Sequence, residues 1–581
     1  MRPAARRPVR RLVRGFVRAA ACAALAAAAG GCASAARAFA RPFAVAPSGL
    51  EVPEQRLRDA LAGGRWEAAL RQAGRERDGG PSDALLRELY RGTAAYYGAR
   101  WDEGALAFQR AAASADDRYT KRVSRGALAL ATNDRALPYV PGDNERLFAH
   151  YYAALGYLHA GDLNGAAVEA RRLAYRLQQA DARRDPLDAS ARAALRYFTG
   201  AVFEAAGDRE DAAVAYRNAA ALGARVDTGA QRRPPAALAG GHGDVVVLVE
   251  EGFVAHRVNE RLSVRLGDSA AERLTLSTGG VVVDGRGGRA AGAWDPAPGT
   301  LGARLAALLT GDQGLWAGDL PPTLALETAA ADSGASGVVG VPARGVGDVA
   351  RGPVDVGASA GAAGRGARAG REPRPGRARR DADDGGAPWG RTFTVAWPAY
   401  RRAAGWGRTA AVFADAAAAG IPAPAATSGA APRGATAGGA GVGTLGATAL
   451  PAVVRGDLSL AAAGDFKRDR GKVLARLVTR AALRAALARE AGRTGRGLDD
   501  VVRVVTNATE QADTRSWHLL PGAVQVLRAR MPAGAHALVV EAGGRRVALG
   551  TVRVAPGGVR FVSARVWEGG RVTAFGTEGA R

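Results

Sequence analysis

A short turn pattern recurs in the amino-terminal half of this sequence and limits that half to paired helices. The four copies of the turn stand at Gly64, Ala99, Gly161 and Gly207. Residues 51–225 around them are rich in Ala, Leu, Arg and Glu, which are strong helix formers. Between Leu163 and Leu177 the apolar residues recur at steps of three and four, the spacing of one buried helix face. The sequence therefore predicts consecutive helices joined by tight turns.

The pattern resembles the inter-helix turn of tetratricopeptide repeats. That family places a small residue seven positions before the turn, and the matching residues here are Gly92, Ala154 and Gly200. It also places Ala, an aromatic residue and Ala after the turn, and the last copy supplies Ala212, Tyr216 and Ala219. The spacings between later copies exceed the family period, so the resemblance implies hairpins with insertions. Such stacks usually bind a peptide or protein on a concave surface, the alternative being a plain stack of helix pairs.

The carboxyl-terminal half predicts a mixed α/β region. The continuous β-branched run Asp244–Glu250 predicts a buried strand, and Thr392–Trp397 predicts a strand that ends at Pro398. A helix is predicted from about Phe466 to Ala491. Alternating apolar and polar residues between Gln525 and Val566, with glycine turns, predict an antiparallel sheet. We therefore expect an α+β multidomain chain with a tetratricopeptide-like helical amino-terminal half, an α/β carboxyl-terminal region with antiparallel strands, and disordered Gly/Ala-rich insertions.

Shifts in composition divide the chain into nine predicted segments. They are a signal peptide (1–31), a tether (32–50), a helical domain (51–225), a linker (226–243), a β-rich segment (244–329), a disordered insertion (330–388), a strand segment (389–415), a low-complexity insertion (416–447) and a helix with antiparallel strands (448–581). The length of 581 residues exceeds what one hydrophobic core usually supports, so at least two folded regions are expected.

Residues 1–31 have the pattern of an export signal. Seven arginines and no acid precede an apolar run, Ala19–Ala29, and two glycines stand directly before Cys32. This resembles a bacterial lipobox, with an alanine in place of the usual leucine. The resemblance implies cleavage before Cys32, acylation of Cys32 with chains such as palmitate, and sorting to the outer membrane because no Asp follows. The alternative is a secretory signal with an incidental Cys, or use of Cys22.

The formal net charge of +25 is weak evidence for a nucleic-acid partner. Seven of the positive charges belong to the signal, the arginines are spread over every segment, and no platform of interleaved aromatic and basic residues is visible. A stripe of Arg476, Arg480 and Arg484 at four-residue steps has two interpretations, an anion site or a solvated face paired with acids. We expect no nucleic-acid partner and keep polyanion binding as an alternative.

Two polar and aromatic stretches supply the candidate binding residues. In the first, Pro138 and Pro141 end one helix and Asp143 is placed to cap the next. Its tyrosines form either an exposed recognition patch or a core with hydrogen-bonded hydroxyls. The second follows the predicted long helix and is either a polar network around a tryptophan or a small-ligand pocket. The candidates are Tyr139, Asp143, Glu145, Arg146, Tyr151 and Tyr152 in the first stretch, and Glu510, Asp513, Arg515 and Trp517 in the second.

Together these pieces resemble an uncharacterised family of bacterial lipoproteins with a tetratricopeptide-like amino-terminal half. The matching pieces are the signal, 137–173, the Asp244 strand, the Phe466 helix and 506–532. Genes of that family tend to lie near penicillin-binding-protein activators, which implies a role in envelope assembly. We therefore expect an outer-membrane-anchored periplasmic scaffold whose partners are envelope proteins and the membrane.

Motifs for catalysis and metal binding are missing from the sequence. The six histidines form no metal spacing with cysteine, and neither a G-x-S-x-G elbow nor a phosphate-binding loop is present. We expect no catalytic residue, metal or cofactor. A weaker alternative is an envelope hydrolase, which would use Glu510, Asp513 and His518.

Overall fold

The computed structural model is a mixed helical and sheet structure, which confirms that part of the predicted fold class. It describes residues 45–74, 81–120, 138–181, 186–226, 241–266, 315–319, 323–326, 392–403, 410–414, 448–494 and 510–578. The α-helices in these ranges are α1 (Val52–Ala62), α2 (Trp66–Ala73), α3 (Ala84–Tyr97), α4 (Trp101–Thr120), α5 (Asp143–Ala160), α6 (Leu163–Asp181), α7 (Ala189–Ala205), α8 (Arg209–Ala220) and α9 (Leu458–Thr494).

Helices α1 to α8 form four consecutive pairs, each joined by a turn of two or three residues. The repeated turn residue has a left-handed backbone in every pair, with φ of 70° at Gly64, 57° at Ala99, and 83° at both Gly161 and Gly207. Glycine adopts this conformation without steric cost, which explains its recurrence in the sequence pattern. Ala99 is the one non-glycine residue with positive φ in the described part of the chain.

The two helices of a pair approach closely at the small residues that the sequence pattern singles out. A Cβ atom added at Gly92 would lie 2.7 Å from the ring of Phe108, and one added at Gly200 would lie 2.9 Å from the ring of Tyr216. Each glycine on the first helix therefore makes room for an aromatic ring on the second.

Helix α5 begins one residue earlier than expected, since a cap at Asp143 would place the first helical residue at position 144. Gly142 is its N-cap, and Asp143 is the first helical residue, so the prediction that Asp143 caps the helix is wrong. The carboxylate of Glu145 reaches back to accept the Gly142 N–H at 2.9 Å. The Asn144 N–H, which an N-cap side chain would otherwise accept, donates instead to the carboxylate of Asp465 on α9 at 2.9 Å.

The strands in the described ranges form three sheets. They are β1 (His242–Glu251), β2 (His256–Leu266), β3 (Thr323–Leu326), β4 (Thr392–Arg401), β5 (Ala411–Ala414), β6 (Thr448–Ala449), β7 (Ala452–Asp457), β8 (Ala523–Pro532), β9 (Gly534–Ala542), β10 (Arg545–Val554), β11 (Val559–Val566) and β12 (Val572–Phe575). The orders are β12-β11-β1-β8-β7, β10-β9-β5-β6 and β3-β2-β4.

The predicted antiparallel sheet of the carboxyl-terminal region is in fact divided between two sheets. Strands β9 and β10 form an antiparallel hairpin, as expected. Strand β1, however, lies between β8 and β11, antiparallel to the first and parallel to the second. Because β1 is apolar on both faces, it is stabilised at the centre of a sheet that is covered on both sides.

The two faces of β1 contact different layers of the molecule. Val246 and Leu248 belong to the core shared with the helices, while Val245, Val247 and Val249 belong to the core shared with the β9–β10 sheet. The architecture is therefore a layer of helices, the five-stranded sheet and the second sheet. The helical region predicted over 51–225 shares one core with strands from the carboxyl-terminal part of the chain.

Two further predictions about individual elements need correction. Strand β4 continues through Pro398, which is paired opposite Asn259. Because β4 is an edge strand, the missing N–H of proline is tolerated there. Helix α9 begins at Leu458, earlier than predicted, directly after β7. The signal over 1–31 and the insertions predicted over 330–388 and 416–447 lie outside the described residues.

No helix among the described residues has both the length and the apolar character needed to cross a bilayer.

Candidate functional site

The two predicted polar stretches, which are far apart in sequence, meet beside helices α3 and α5. Glu145 is the link between them. One of its carboxylate oxygens accepts the Trp517 N–H at 2.6 Å, and the other accepts hydrogen bonds from the Gly142 N–H and the Tyr139 hydroxyl. The Trp517 indole N–H donates to the Thr93 hydroxyl at 2.9 Å. We call the contact region of residues 139–145 with 510–517 the polar seam.

Arg515 is the main cation of the polar seam. Its side chain donates to both carboxylate oxygens of Asp513, at 2.7 and 2.9 Å, and to Asp83 at 2.6 Å. Burial favours the neutral form of Asp513, but the ion pair with Arg515 outweighs burial and lowers the pKa of that carboxyl. Arg515 thus forms ion pairs with two acids of the same chain, Asp513 and Asp83.

Glu54 adds a second kind of carboxyl beside the polar seam. It accepts a hydrogen bond from the Tyr90 hydroxyl at 3.3 Å and one from the Glu51 N–H at 3.3 Å. Burial, together with the nearby carboxylates of Asp83 and Asp513, raises the pKa of Glu54 to about 8 against the pull of Tyr90 and Arg58. This acid is therefore protonated at neutral pH.

The tyrosines of the first stretch are core residues, so the exposed recognition patch is wrong. Tyr139 is 2% exposed and Tyr151 and Tyr152 are each 1% exposed. Tyr139 lies in the polar seam, whereas the other two project from α5 toward the five-stranded sheet. Between these places lies the Trp517 ring, with its centroid 5.5 Å from that of Phe108 and 5.9 Å from that of Tyr152.

A second buried network surrounds Glu250, at the end of β1. The Tyr97 hydroxyl donates to Glu250 at 2.5 Å and lies 3.0 Å from the Tyr152 hydroxyl. Arg565, directly opposite Glu250 on β11, donates to the Tyr97 oxygen at 3.0 Å and lies 3.8 Å from the carboxylate. Burial raises the pKa of Glu250 although Arg565 opposes the shift. We call Tyr96, Tyr97, Tyr151, Tyr152, Glu250 and Arg565 the tyrosine cluster.

Sequence reasoning missed Glu250 and Arg565 as polar core residues. One signal was present, since Glu250 closes an otherwise apolar strand and an acid at such a position needs a buried partner. Arg565 gave no signal, because its partner lies in a distant part of the chain. The same holds for the hydrogen bond of 2.8 Å between His159 and Ser563, which joins α5 to β11.

Three of the candidate residues form their ion pairs with partners that belong to neither network. Arg146 pairs with Asp116 on α4 at 2.6 Å, and Asp143 lies 3.7 Å from Arg468 on α9. Glu510 forms an ion pair with Arg480 at 3.0 Å, in which both side chains are 2% exposed.

The Arg480–Glu510 pair corrects the predicted arginine stripe at its middle residue, while the side chain of Arg484 lies outside the described residues. An arginine that is 1% exposed and bonded to a buried glutamate belongs to neither an open anion site nor a solvated face. A guanidinium and a carboxylate leave water together only when they pair. Much of the basic charge in the described region serves such internal pairs, as Arg515 and Arg565 also show.

The groups that the hydrolase alternative would use do not contact one another in the described part of the chain. The hydrolase alternative needs Asp513 to orient His518, but the Asp513 carboxylate is held by Arg515, and neither ring nitrogen of His518 has a hydrogen-bond partner in the described part of the chain. The described residues also contain no group of three acidic, histidine or cysteine side chains that would hold a metal ion. What the two networks do is join distant segments of the chain.

No protein-family model, curated protein or solved structure matches this chain.

Proposed function

We propose that this protein is an outer-membrane-anchored periplasmic lipoprotein that acts as a non-catalytic protein-interaction scaffold in envelope assembly. One observation carries the scaffold role. The first helix of each later pair (α3, α5, α7) is buried between its partner helix and the sheet, while the second (α4, α6, α8) presents exposed side chains outward. A rigid array that turns one layer of helices to the solvent suits binding to another protein, because its surface is preformed.

The helical array is proposed to be tetratricopeptide-like. Support comes from the left-handed turn residue in each pair and from the close fit of Gly92 on Phe108 and of Gly200 on Tyr216. The array differs from a free repeat stack in one respect. Its first helices are covered by the five-stranded sheet, for example where Tyr97 and Tyr152 meet Glu250. The outer layer of second helices therefore takes the place of the concave surface expected from sequence.

The proposed anchor is the acylated Cys32. Val45, the first described residue, is the thirteenth residue after it, and at about 3.5 Å per residue this span reaches at most about 45 Å. Beyond that point the chain is attached to the folded body, since the Pro47 and Ser48 carbonyls accept hydrogen bonds from Arg401 and His256. An anchor at Cys32 would keep the helical array close to the membrane surface.

Replacement of the lipidated cysteine tests the anchor. Cys32→Ala is expected to move the protein from the membrane to the soluble fraction and to abolish labelling with a palmitate analogue, because several acyl chains supply most of the membrane affinity. Cys22→Ala is the matched control and is expected to leave both unchanged. A Cys32→Ala protein that remains in the membrane fraction would overturn the anchor.

Photo-crosslinking in intact cells tests the scaffold role. A photoreactive residue is placed at Val168, on the outer face of α6, and in a second strain at Arg545, which is exposed on β10. Crosslinks to another polypeptide are expected from position 168 and not from position 545. Equal yields from the two positions, or none from position 168, would contradict an interaction surface on the second helices.

A further inference from the structure

The exposed large apolar side chains of the described residues are concentrated on the second helices. Five such residues are exposed, and they are Val45, Leu106, Val168, Tyr175 and Val214. Four of the five lie on α4, α6 or α8. Single exposed apolar residues need no explanation, but the concentration of four of the five in one layer of helices does.

Three of these residues occupy the same position in successive helix pairs. Leu106, Val168 and Val214 each stand seven residues after the left-handed turn residue of their pair, and they are 51%, 43% and 45% exposed. Neighbouring second helices are joined by side-chain bonds, Gln109 to Glu169 at 2.9 Å and Arg171 to Asp208 at 3.2 Å. The three aliphatic side chains therefore form one row across α4, α6 and α8, which we call the aliphatic row.

Charge is distributed unequally on the two sides of the aliphatic row. The positions four residues before the aliphatic side chains are occupied by Asp102, Asn164 and Glu210, on α4, α6 and α8 respectively. The positions four residues after them are occupied by Arg110, Arg172 and Asn218. Arg171 and Arg217 add basic charge three residues after the row. Arg110, Arg171 and Arg172 pair within the chain with Glu88, Asp208 and Glu169. Since residues four apart lie on the same face of a helix, the outer surface has an acidic edge with Asp102 and Glu210, an apolar middle, and a basic edge whose arginine without such a pair is Arg217.

We propose that the aliphatic row is the dimer interface of this protein and that its partner is a second copy of the same chain. In this dimer the two outer surfaces face each other across a two-fold axis that runs parallel to the aliphatic row. The two aliphatic rows then contact each other, and the acidic edge of each copy contacts the basic edge of the other. The helices of the two copies then cross antiparallel. The inference rests on the proposed interaction role of the second helices and specifies the partner.

Two details of the outer surface agree with this pairing. The side chains of Glu210 and Arg217 form no hydrogen bond or ion pair within the described part of the chain, and the two-fold axis places each near the other in the second copy. Tyr175 stands seven residues after Val168, and Gly161 stands seven residues before it. The two-fold axis therefore places Tyr175 of one copy opposite Gly161 of the other. A Cβ atom added at Gly161 would meet no atom within 4 Å, so the tyrosine ring has room there.

The test is the oligomeric state of the mature chain carrying Cys32→Ala, measured by sedimentation equilibrium over a range of concentrations. The unmodified surface is expected to give a dimer. Val168→Glu puts two carboxylates at the centre of the apolar contact and is expected to weaken association at least tenfold. Val45→Glu makes the same change at a side chain that is 59% exposed and lies off the aliphatic row, and it is expected to have no effect.

A charge swap tests the orientation of the two copies. Arg217→Glu alone places two acids opposite each other and is expected to weaken the dimer, whereas Glu210→Arg combined with Arg217→Glu restores the opposite charges and the affinity. A monomer at all concentrations, equal effects of the two valine variants, or failure of the double variant to recover would overturn the proposal. A monomer that still gives crosslinks to other proteins from position 168 overturns the dimer alone, and one that gives none overturns the scaffold role as well.

Discussion

Ala99 adopts a backbone conformation that the three equivalent turns assign to glycine. Its φ of 57° costs an L-residue about 1 kcal/mol, because Cβ approaches the carbonyl oxygen. We therefore expect Ala99→Gly to raise the free energy of unfolding by about 0.5–1 kcal/mol. Gly161→Ala is the converse change at a position with open surroundings, and it is expected to lower that free energy by a similar amount. Urea denaturation measures the free energy of unfolding of both variants. A loss of stability in Ala99→Gly, or a gain in Gly161→Ala, would contradict this explanation of the turn.

The half-buried carboxyl of Glu54 is expected to make stability depend on pH. Its pKa rises from 4.5 in the unfolded chain to about 8 in the folded protein, so the folded state holds a proton that the unfolded state has lost. Between these values stability falls as pH rises. Glu54→Gln mimics the protonated acid and is expected to reduce the fall between pH 5 and 8 by on the order of 2 kcal/mol.

Glu67→Gln provides the control for this prediction. Glu67 is 65% exposed and pairs with Arg100 on the surface, so its replacement is expected to change stability little at any pH. The measurement is the midpoint of urea unfolding from pH 5 to pH 8. A Glu54→Gln profile with the same slope as wild type would show that Glu54 is ionised in the folded protein.

At the scale of single residues, the sequence predicted which side chains are buried better than it predicted their bonding partners. The density of polar residues around Trp517, against an Ala/Arg background, predicts either a polar network or a small-ligand pocket, and in the structure these residues form hydrogen bonds and ion pairs. The partner of that network, Glu145, was found as a separate candidate. Nothing in the sequence joined the two, because a contact across 372 residues leaves no local pattern. Glu250 and Arg565 were missed for the same reason.

At the scale of helices, the fit of a first helix on a second is expected to depend on glycine. Gly200→Ala places a methyl group 2.9 Å from the Tyr216 ring, which is itself buried, so overpacking outweighs the gain in helix propensity. We expect a loss of about 1–2 kcal/mol in the free energy of unfolding. Gly471→Ala is the matched control on α9, where no atom lies within 4 Å, and it is expected to be neutral or stabilising by up to about 1 kcal/mol. Thermal and urea unfolding measure both.

Helices and strands in which apolar residues recur at a regular spacing were predictable from sequence. The way in which these elements pack together was not. The helix pairs and the strand Asp244–Glu250 follow from local patterns of apolar residues. The insertion of this strand between β8 and β11 does not, because its parallel pairing depends on a strand near the carboxyl terminus, Val559–Val566. The prediction that a strand ends at Pro398 was wrong for a related reason. Proline interrupts a strand only where a neighbouring strand needs its N–H, and the sequence does not show which strands lie at the edge of a sheet.

At the scale of the whole molecule, the helices and the sheets depend on one another. The helix layer covers one face of β1, and the second sheet covers the other. The tyrosine cluster and the polar seam add buried bonds between α3, α5 and the carboxyl-terminal strands. A chain with this organisation is expected to unfold as one unit, and the layer of second helices is expected to keep a fixed shape for its partner.

Native-state hydrogen exchange tests this dependence most directly. The amides of α7 between Ala191 and Val202 and those of β1 between Val245 and Val249 are expected to open with the same free energy, that of global unfolding. Gly200→Ala, although it lies in α7, is then expected to lower the protection of β1 by the same amount. If α7 opens with a lower free energy than β1, or if Gly200→Ala leaves the protection of β1 unchanged, the helical region folds independently and the account is contradicted.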